Sequence, residues 1–206
     1  MSKVIVLNHL TLDGVMQAPG RPDEDRRGGF AHGGWAKSRG DAIMGDLPSE
    51  RMANVGALLL GRRTYEDFYA FWPHQPEPNP FASMLGATQK YVASTTLQEP
   101  LPWSNSTLLS GDAADAVARL KEQLGKDLLI LGSGALIQAL MQRSLVDEFI
   151  LMIHPLVLGT GRRLFPDEGP FATLRLVDAK STAPGVLIAI YQVAAAAADA
   201  TPSALS

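Results

Sequence analysis

The chain has no cysteine. Disulfides, thiolate nucleophiles and cysteine-ligated zinc are thereby excluded, so any chemistry must come from oxygen and nitrogen groups or from a bound cofactor. Long hydrophobic runs are missing too. None approaches the roughly 18–20 residues of a membrane-crossing helix, and the opening MSKVIVLNHLTL carries no long apolar stretch ending in a small-residue cleavage site. A cytoplasmic protein without membrane contact is the expectation. Basic charge is not in excess either: 18 Lys and Arg face 21 Asp and Glu, for a formal net charge of -3. That balance gives no reason to expect a nucleic-acid partner. No stretch reads G-x-S-x-G, which disfavours a Ser-His-Asp hydrolase. His9, His32, His74 and His154 show neither i, i+4 pairing nor H-E-x-x-H spacing, so no metal site is expected.

What is present suits one domain, since 206 residues lie below the size at which a single core divides. The expected division is a domain over residues 1–194 and a disordered, alanine-rich tail over 195–206. KVIVLNHLTL and VGALLLG read as buried strands, separated by a loop rich in glycine and proline and by a stretch from about Trp35 to Asn54 with helical potential. A helix is expected to follow, with Thr64 as N-cap and Asp67 three residues on. PHQPEPNP should end it. KYVAST and STLLS are short strands, and Asp112 to Leu124 is a helix with Ala113, Ala116, Val117, Leu120 and Leu124 on one face and Gly125 as its stop. DLLILGSGALIQALMQR reads as strand, glycine turn and helix, LVDEFILMIHPLVLG as a long strand, and TLRLVDAKST with VLIAIYQV as a closing hairpin. Strands alternating with helices predict an α/β fold: a mostly parallel central sheet flanked by helices, with an antiparallel C-terminal hairpin.

Two strands end in glycine and open a helix, LLLGRRTYE and LLILGSGALIQAL. Ligands of open α/β sheets bind outside the carboxyl ends of the strands, where helix N-termini present N–H groups and a positive dipole. Gly132, Ser133 and Gly134 let a pyrophosphate approach the backbone, although a lone G-x-G is equally a turn eased by glycine. Arg62 and Arg63 offer forked donors suited to a phosphate, and an arginine beside the adenine ribose is the usual way to accept the 2′-phosphate of NADPH. Two anion-facing turns on one sheet suit a dinucleotide.

GRRTYE, KYVAST, LGSGALIQAL, LVDEFILMIHPLVLGTGRRLF and the early TLDG occur in the order found in the reductase domain of the riboflavin-pathway deaminase-reductase. Over roughly residues 3–193 the chain resembles that domain, a member of the dihydrofolate-reductase-like superfamily, in its stand-alone bacterial form. The resemblance implies a dihydrofolate-reductase-like fold, NADPH as cofactor and a homodimer. It implies that Gly61, Arg62, Arg63 and Thr64 hold the adenosine phosphates, with Arg62 on the 2′-phosphate and Ser94 and Thr95 beside it. Gly132, Ser133, Gly134 and Ala135 would hold the pyrophosphate, with a cis bond between Gly132 and Ser133. Thr11, Asp13 and Gly14 would lie beside nicotinamide and substrate, Asp13 as a candidate proton donor, and Trp72 at the substrate mouth or packed against it.

The deaminase half of the resembled protein has no counterpart here, because H-x-E and cysteine are both absent. The superfamily's buried carboxylate cannot be chosen among Asp41, Asp46 and Glu50. Arg21, Arg26 and Arg27 in the first loop are either substrate-phosphate anchors or solvated charges, and Arg162 and Arg163 are either structural, dimer contacts or phosphate ligands. Trp35 and Trp103 are either stacking platforms for a flat ring or packing residues. The expected function is hydride transfer from NADPH to a C=N or C=O group of a pterin-like or pyrimidine heterocycle, in the manner of 5-amino-6-(5-phosphoribosylamino)uracil reductase. A non-catalytic nucleotide-binding or dimeric scaffold protein is the alternative.

Overall fold

The apolar runs become strands. The computed structural model describes residues 1–37 and 52–194. Its strands are β1 (Val4–Thr11), β2 (Val55–Gly61), β3 (Gln89–Ala93), β4 (Ser106–Leu109), β5 (Asp127–Leu131), β6 (Glu148–His154), β7 (Leu174–Ser181) and β8 (Leu187–Val193). They form one sheet in the order β4-β3-β2-β5-β1-β6-β8-β7. All pairs from β4 to β6 are parallel, whereas β8 pairs antiparallel with both β6 and β7. The fold class expected from the alternating pattern is the one observed.

Unbroken apolar runs are what parallel strands covered on both faces require. Leu58, Leu59 and Leu60 are fully buried, yet they point alternately to two cores. Val4, Val6, Leu59 and Ile130 pack under α3 (Ala113–Gln123) and α4 (Gly134–Gln142), through Val117, Ile137 and Leu140. Ile5, Leu58 and Leu60 pack on the other face with Tyr65 of α1 (Arg62–Phe71), Leu85 of α2 (Pro80–Ala87) and Trp103. Period-two burial thus divides one leucine run between opposite layers. β7, at the edge, leaves most of its residues exposed, which the antiparallel hairpin tolerates.

Two local expectations change. α1 begins at Arg62, not after Thr64: extended Gly61 is its N-cap, and Thr64 occupies the third helical position because its hydroxyl is engaged elsewhere. A further helix, α2, follows the proline-rich PHQPEPNP, where the sequence pattern predicts none. Its start is well specified, with Asn79 Oδ1 accepting from Ala82 N at 3.0 Å and Pro80 in the first turn. Two short 3₁₀ turns, Arg27–Gly29 and Trp72–His74, complete the described elements. α3 follows the sequence reading, with Asp112 as N-cap and Gly125 at φ +63° past its end. The helix expected over Trp35 to Asn54, together with Asp41, Asp46 and Glu50, falls largely outside the described residues, as does the tail at 195–206.

Candidate functional site: a cleft at the carboxyl ends of the strands

The carboxyl ends of β1, β2, β3 and β5 open into a cleft of about 1860 Å³. It is lined by Asn8 and His9 from β1, by Gly61 to Thr64, by Ser94 and Thr95, and by Gly132 to Ala135. The two glycine-ended turns identified in the sequence therefore meet at one site. They are also tied to each other: Ser133 Oγ accepts from Gly61 N at 3.0 Å, and Thr64 Oγ1 accepts from Ser133 N at 3.1 Å. Asn8 clamps the same turn, its Oδ1 accepting from Gly132 N at 2.8 Å and its Nδ2 donating to Gly132 O at 3.3 Å.

The turn reverses through two left-handed residues, Gly132 (φ +59°) and Ser133 (φ +54°). Among the described residues the cis bonds are Glu77–Pro78 and Glu99–Pro100, so the Gly132–Ser133 bond is trans. Successive left-handed dihedrals, held by Asn8, make the sharp bend instead. A Cβ at Gly132 would stand 3.3 Å from Thr64, and one at Gly134 would meet Met16 Sδ at 2.7 Å. Both glycines lie where neighbours approach the backbone closely.

α2 and α3 cap their own N-termini with Asn79 and Asp112. α1 and α4 have no side-chain cap. These two helices thus direct first-turn N–H groups and the positive ends of their dipoles into the cleft with no side-chain acceptor. Two guanidinium groups stand beside them. Arg62 makes a loose contact to Glu66 at 3.3 Å, and Arg63 is exposed, with no hydrogen bond or ion pair among the described residues. This donor set suits a phosphorylated dinucleotide: backbone N–H groups at two interlocked turns and forked cations at one of them.

The first loop is fixed from several sides. Buried Gln17 donates to the carbonyls of Asp25 and Arg27 and accepts from Arg162 N at 3.0 Å, while Trp35 Nε1 donates to Gln17 O at 2.8 Å. Arg21 pairs with Asp67 of α1 and lies 4.1 Å over the Phe71 ring. Burial pushes the Asp67 and Glu24 carboxyls up. Arg27 pairs with Asp25, whereas Arg26 donates to the Pro22 carbonyl. All five arginines, Arg21, Arg26 and Arg27 of this loop and Arg162 and Arg163 opposite, line the cleft.

Thr11, Asp13 and Gly14 lie outside the cleft lining. Asp13 accepts from Thr11 Oγ1 at 2.5 Å, from Leu158 N at 3.2 Å and from Gly159 N at 2.8 Å. The Thr11 hydroxyl, followed by these backbone donors, holds its carboxyl below the usual range. Such a group is ionised near neutrality and pins the end of β1 to the loop after β6. Trp72 does line the cleft, and its ring packs edge-on against Phe81 at 4.7 Å. Trp103 instead lies in the core beside Tyr65.

Of the four histidines, the fold unites two. His9 Nδ1 lies 2.9 Å from Nε2 of fully buried His154, with ring centroids 5.1 Å apart. Burial, and secondly His154, push the His9 imidazole down to about 4. His32 packs on Phe30, and His74 ends the short turn after α1. No group of three potential metal ligands occurs among the described residues. Nor is any helix among them long and apolar enough to cross a membrane.

The family described as RibD C-terminal domain matches residues 2–188. The chain belongs to that family. It is therefore an oxidoreductase family member of riboflavin-pathway reductase type, and membership implies a nicotinamide cofactor. Two Bacillus subtilis proteins are similar: YyaP, 29% identical over 140 residues spanning 66% of this chain and 73% of that protein, and YwjB, 29% identical over 133 residues spanning 64% and 71%. Among solved structures, a putative riboflavin biosynthesis protein from Shewanella sp. PV-4 superposes with TM-score 0.70 at 22% identity, covering 94% of this chain and 99% of that one. A pyrimidine reductase-like protein from Corynebacterium diphtheriae gives 0.62 at 15% identity, covering 94% and 92%. Acinetobacter baumannii RibD gives 0.58 at 16% identity, covering 94% of this chain and 58% of the longer one.

Proposed function

We propose that this protein is an NADPH-dependent reductase acting on a C=N or C=O group of a pterin-like or pyrimidine heterocycle. The observation that carries the reading is the pair of interlocked, uncapped helix N-termini with Arg62 and Arg63 beside one of them. Arg62 takes the 2′-phosphate, flanked by Ser94 and Thr95, and Arg63 and Thr64 lie near the adenosine phosphates. Gly132, Ser133, Gly134 and Ala135 take the pyrophosphate at the start of α4. Strand order then sets direction: β3, β2, β5 and β1 are neighbours in that sequence. A dinucleotide whose adenosine end lies at β2 and β3 and whose pyrophosphate lies over β5 extends its nicotinamide toward β1.

When bound, the reduced nicotinamide supplies hydride. The chain's own residues orient both reactants and exclude water, Met16 and Gln17 from above and Trp72 from the α1 side. Thr11, Asp13 and Gly14 contribute by fixing the end of β1 and its loop. The names of the similar Shewanella and Corynebacterium proteins, a riboflavin biosynthesis protein and a pyrimidine reductase-like protein, support a pyrimidine as substrate class, and the arginines of the cleft suit one that carries a phosphate. Arg162 and Arg163 are the cations best placed for its phosphate, since Arg21 and Arg27 already pair with carboxylates.

The test is cofactor choice. Arg62→Ala should weaken NADPH by about 1.5–3 kcal/mol in a fluorescence titration and leave NADH nearly unchanged. Equal losses for both cofactors would remove Arg62 from the 2′-phosphate. The competing reading is a nucleotide-binding scaffold without turnover, and the ionised, off-cleft Asp13 favours it. NADPH oxidation in the presence of 5-amino-6-(5-phosphoribosylamino)uracil would rule it out.

A further inference from the structure

With Asp13 ionised and turned away, a reductase of this design still needs a group that delivers a proton where hydride arrives. The end of β1 supplies a different one. His9 lines the cleft next to Asn8, the residue that holds Gly132, and its Nδ1 is engaged by His154. Its Nε2 makes no hydrogen bond among the described residues. His154 is fully buried, one strand over on β6, with Trp35 edge-on at 5.2 Å. We propose that His9 is the proton-donating residue of the cleft and that His154 is its positioning partner, an inference that rests on the reductase reading above.

The pair has the chemistry for this. At 2.9 Å one ring nitrogen donates and the other accepts. A proton added to the pair leaves His9 with N–H groups on both nitrogens, one turned to His154 Nε2 and the other without a partner among the described residues, on a side chain that lines the cleft. When hydride adds to the carbon of a C=N or C=O bond, the bond's electron pair collects on the nitrogen or oxygen. That atom takes the proton from His9 Nε2, His9 returns to the neutral form with its Nδ1 proton still donated to His154 Nε2, and solvent restores the lost proton. Among the described residues, His154 is the titratable group that acts on His9, so burial and this one neighbour set its acidity. With the imidazole pushed down to about 4, His9 is neutral in the free protein near neutral pH, so the pair takes up its extra proton from solvent before each transfer.

Side-chain ¹⁵N NMR of the full chain tests the placement without requiring turnover. In the free protein His9 is expected to titrate well below an ordinary histidine, and His154→Phe should raise it only in part, because burial is the larger cause and remains. NADP⁺ should shift the His9 Nε2 resonance and lower its titration midpoint, because the nicotinamide cation lies beside it. 2′,5′-ADP, which lacks nicotinamide, should bind and leave His9 unmoved. If NADP⁺ binds without changing His9, or if 2′,5′-ADP changes it equally, the proposal is overturned while the reductase reading stands. If neither ligand binds, the reading itself falls and the proposal with it. In NADPH-driven reduction of 5-amino-6-(5-phosphoribosylamino)uracil, His9→Gln should lower kcat by about a hundredfold or more with the NADPH Kd preserved. A rate within about threefold of wild type would count against His9.

Discussion

Lys90 shows how far a single side chain can depart from its usual place. It is fully buried, its ammonium donating to the carbonyls of Leu85, Gly86 and Thr88 at the end of α2 and lying 4.5 Å over Trp103. Burial pushes it down to about 8; the carbonyls and the ring oppose that shift by favouring the charged form. Because the unfolded chain keeps its proton up to about 10.4, it binds more protons than the folded one above about 8. Stability should therefore rise with pH across that window. Lys90→Met should abolish the rise and cost about 2 kcal/mol at neutral pH by stranding carbonyl acceptors, as denaturant melts at several pH values would measure. The sequence KYVAST identifies the strand but says nothing of this ammonium, because its acceptors lie at a helix end that the sequence reading did not find. Asn8 reads in the sequence as a strand residue and His9 as a histidine without metal-ligand spacing, because their partners, Gly132 and His154, are more than 120 positions away. Arg62, Arg63 and the Gly-Ser-Gly turn were legible because strand, glycine and helix start are consecutive in the chain.

At the level of elements, legibility followed local signals. α3 announced itself with Asp112, an apolar face and Gly125, whereas the Asn79-Pro80 start of α2 was present but masked by the prolines before it. The start of α1 was misplaced because Thr64 resembles an N-cap, and only the neighbouring turn reveals that its hydroxyl serves Ser133. The first loop carries a prediction of its own. Its link to α1 runs through Arg21, to Asp67 and the Phe71 ring, and Glu24 closes the turn by accepting from Gly20 N at 2.7 Å and Arg21 N at 3.1 Å. Arg21→Ala should leave the sheet's amide protection unchanged and speed exchange at the Gly20 and Arg21 amides by about tenfold. Uniform acceleration across the strands would show that Arg21 supports the whole fold rather than this loop.

At the scale of the whole molecule, alternation of strands and helices disclosed an α/β sheet, but not that β1 lies between β5 and β6. That order depends on crossovers, which leave no local trace in sequence. It places residues from β1, β2, β3 and β5 around one cleft, so a ligand there should stabilise the entire chain. At about a hundred times its Kd, NADPH should add about 2.7 kcal/mol, a melting shift of about 5–10 °C for a chain of this size. NADH at the same concentration should give less. The homodimer implied by the resemblance should sediment as a single species of twice the 22.1 kDa chain mass, and a monomer at micromolar concentration would set it aside. The knot joining the two turns is made by Gly61, Thr64, Ser133 and Asn8, and neither arginine side chain takes part in it. If Arg62 and Arg63 read the cofactor as proposed, nucleotide preference and architecture are written in separate residues. The cofactor alphabet of this scaffold would then be open to re-spelling at two positions, by drift or by an engineer, while the frame that reads it stays as it is.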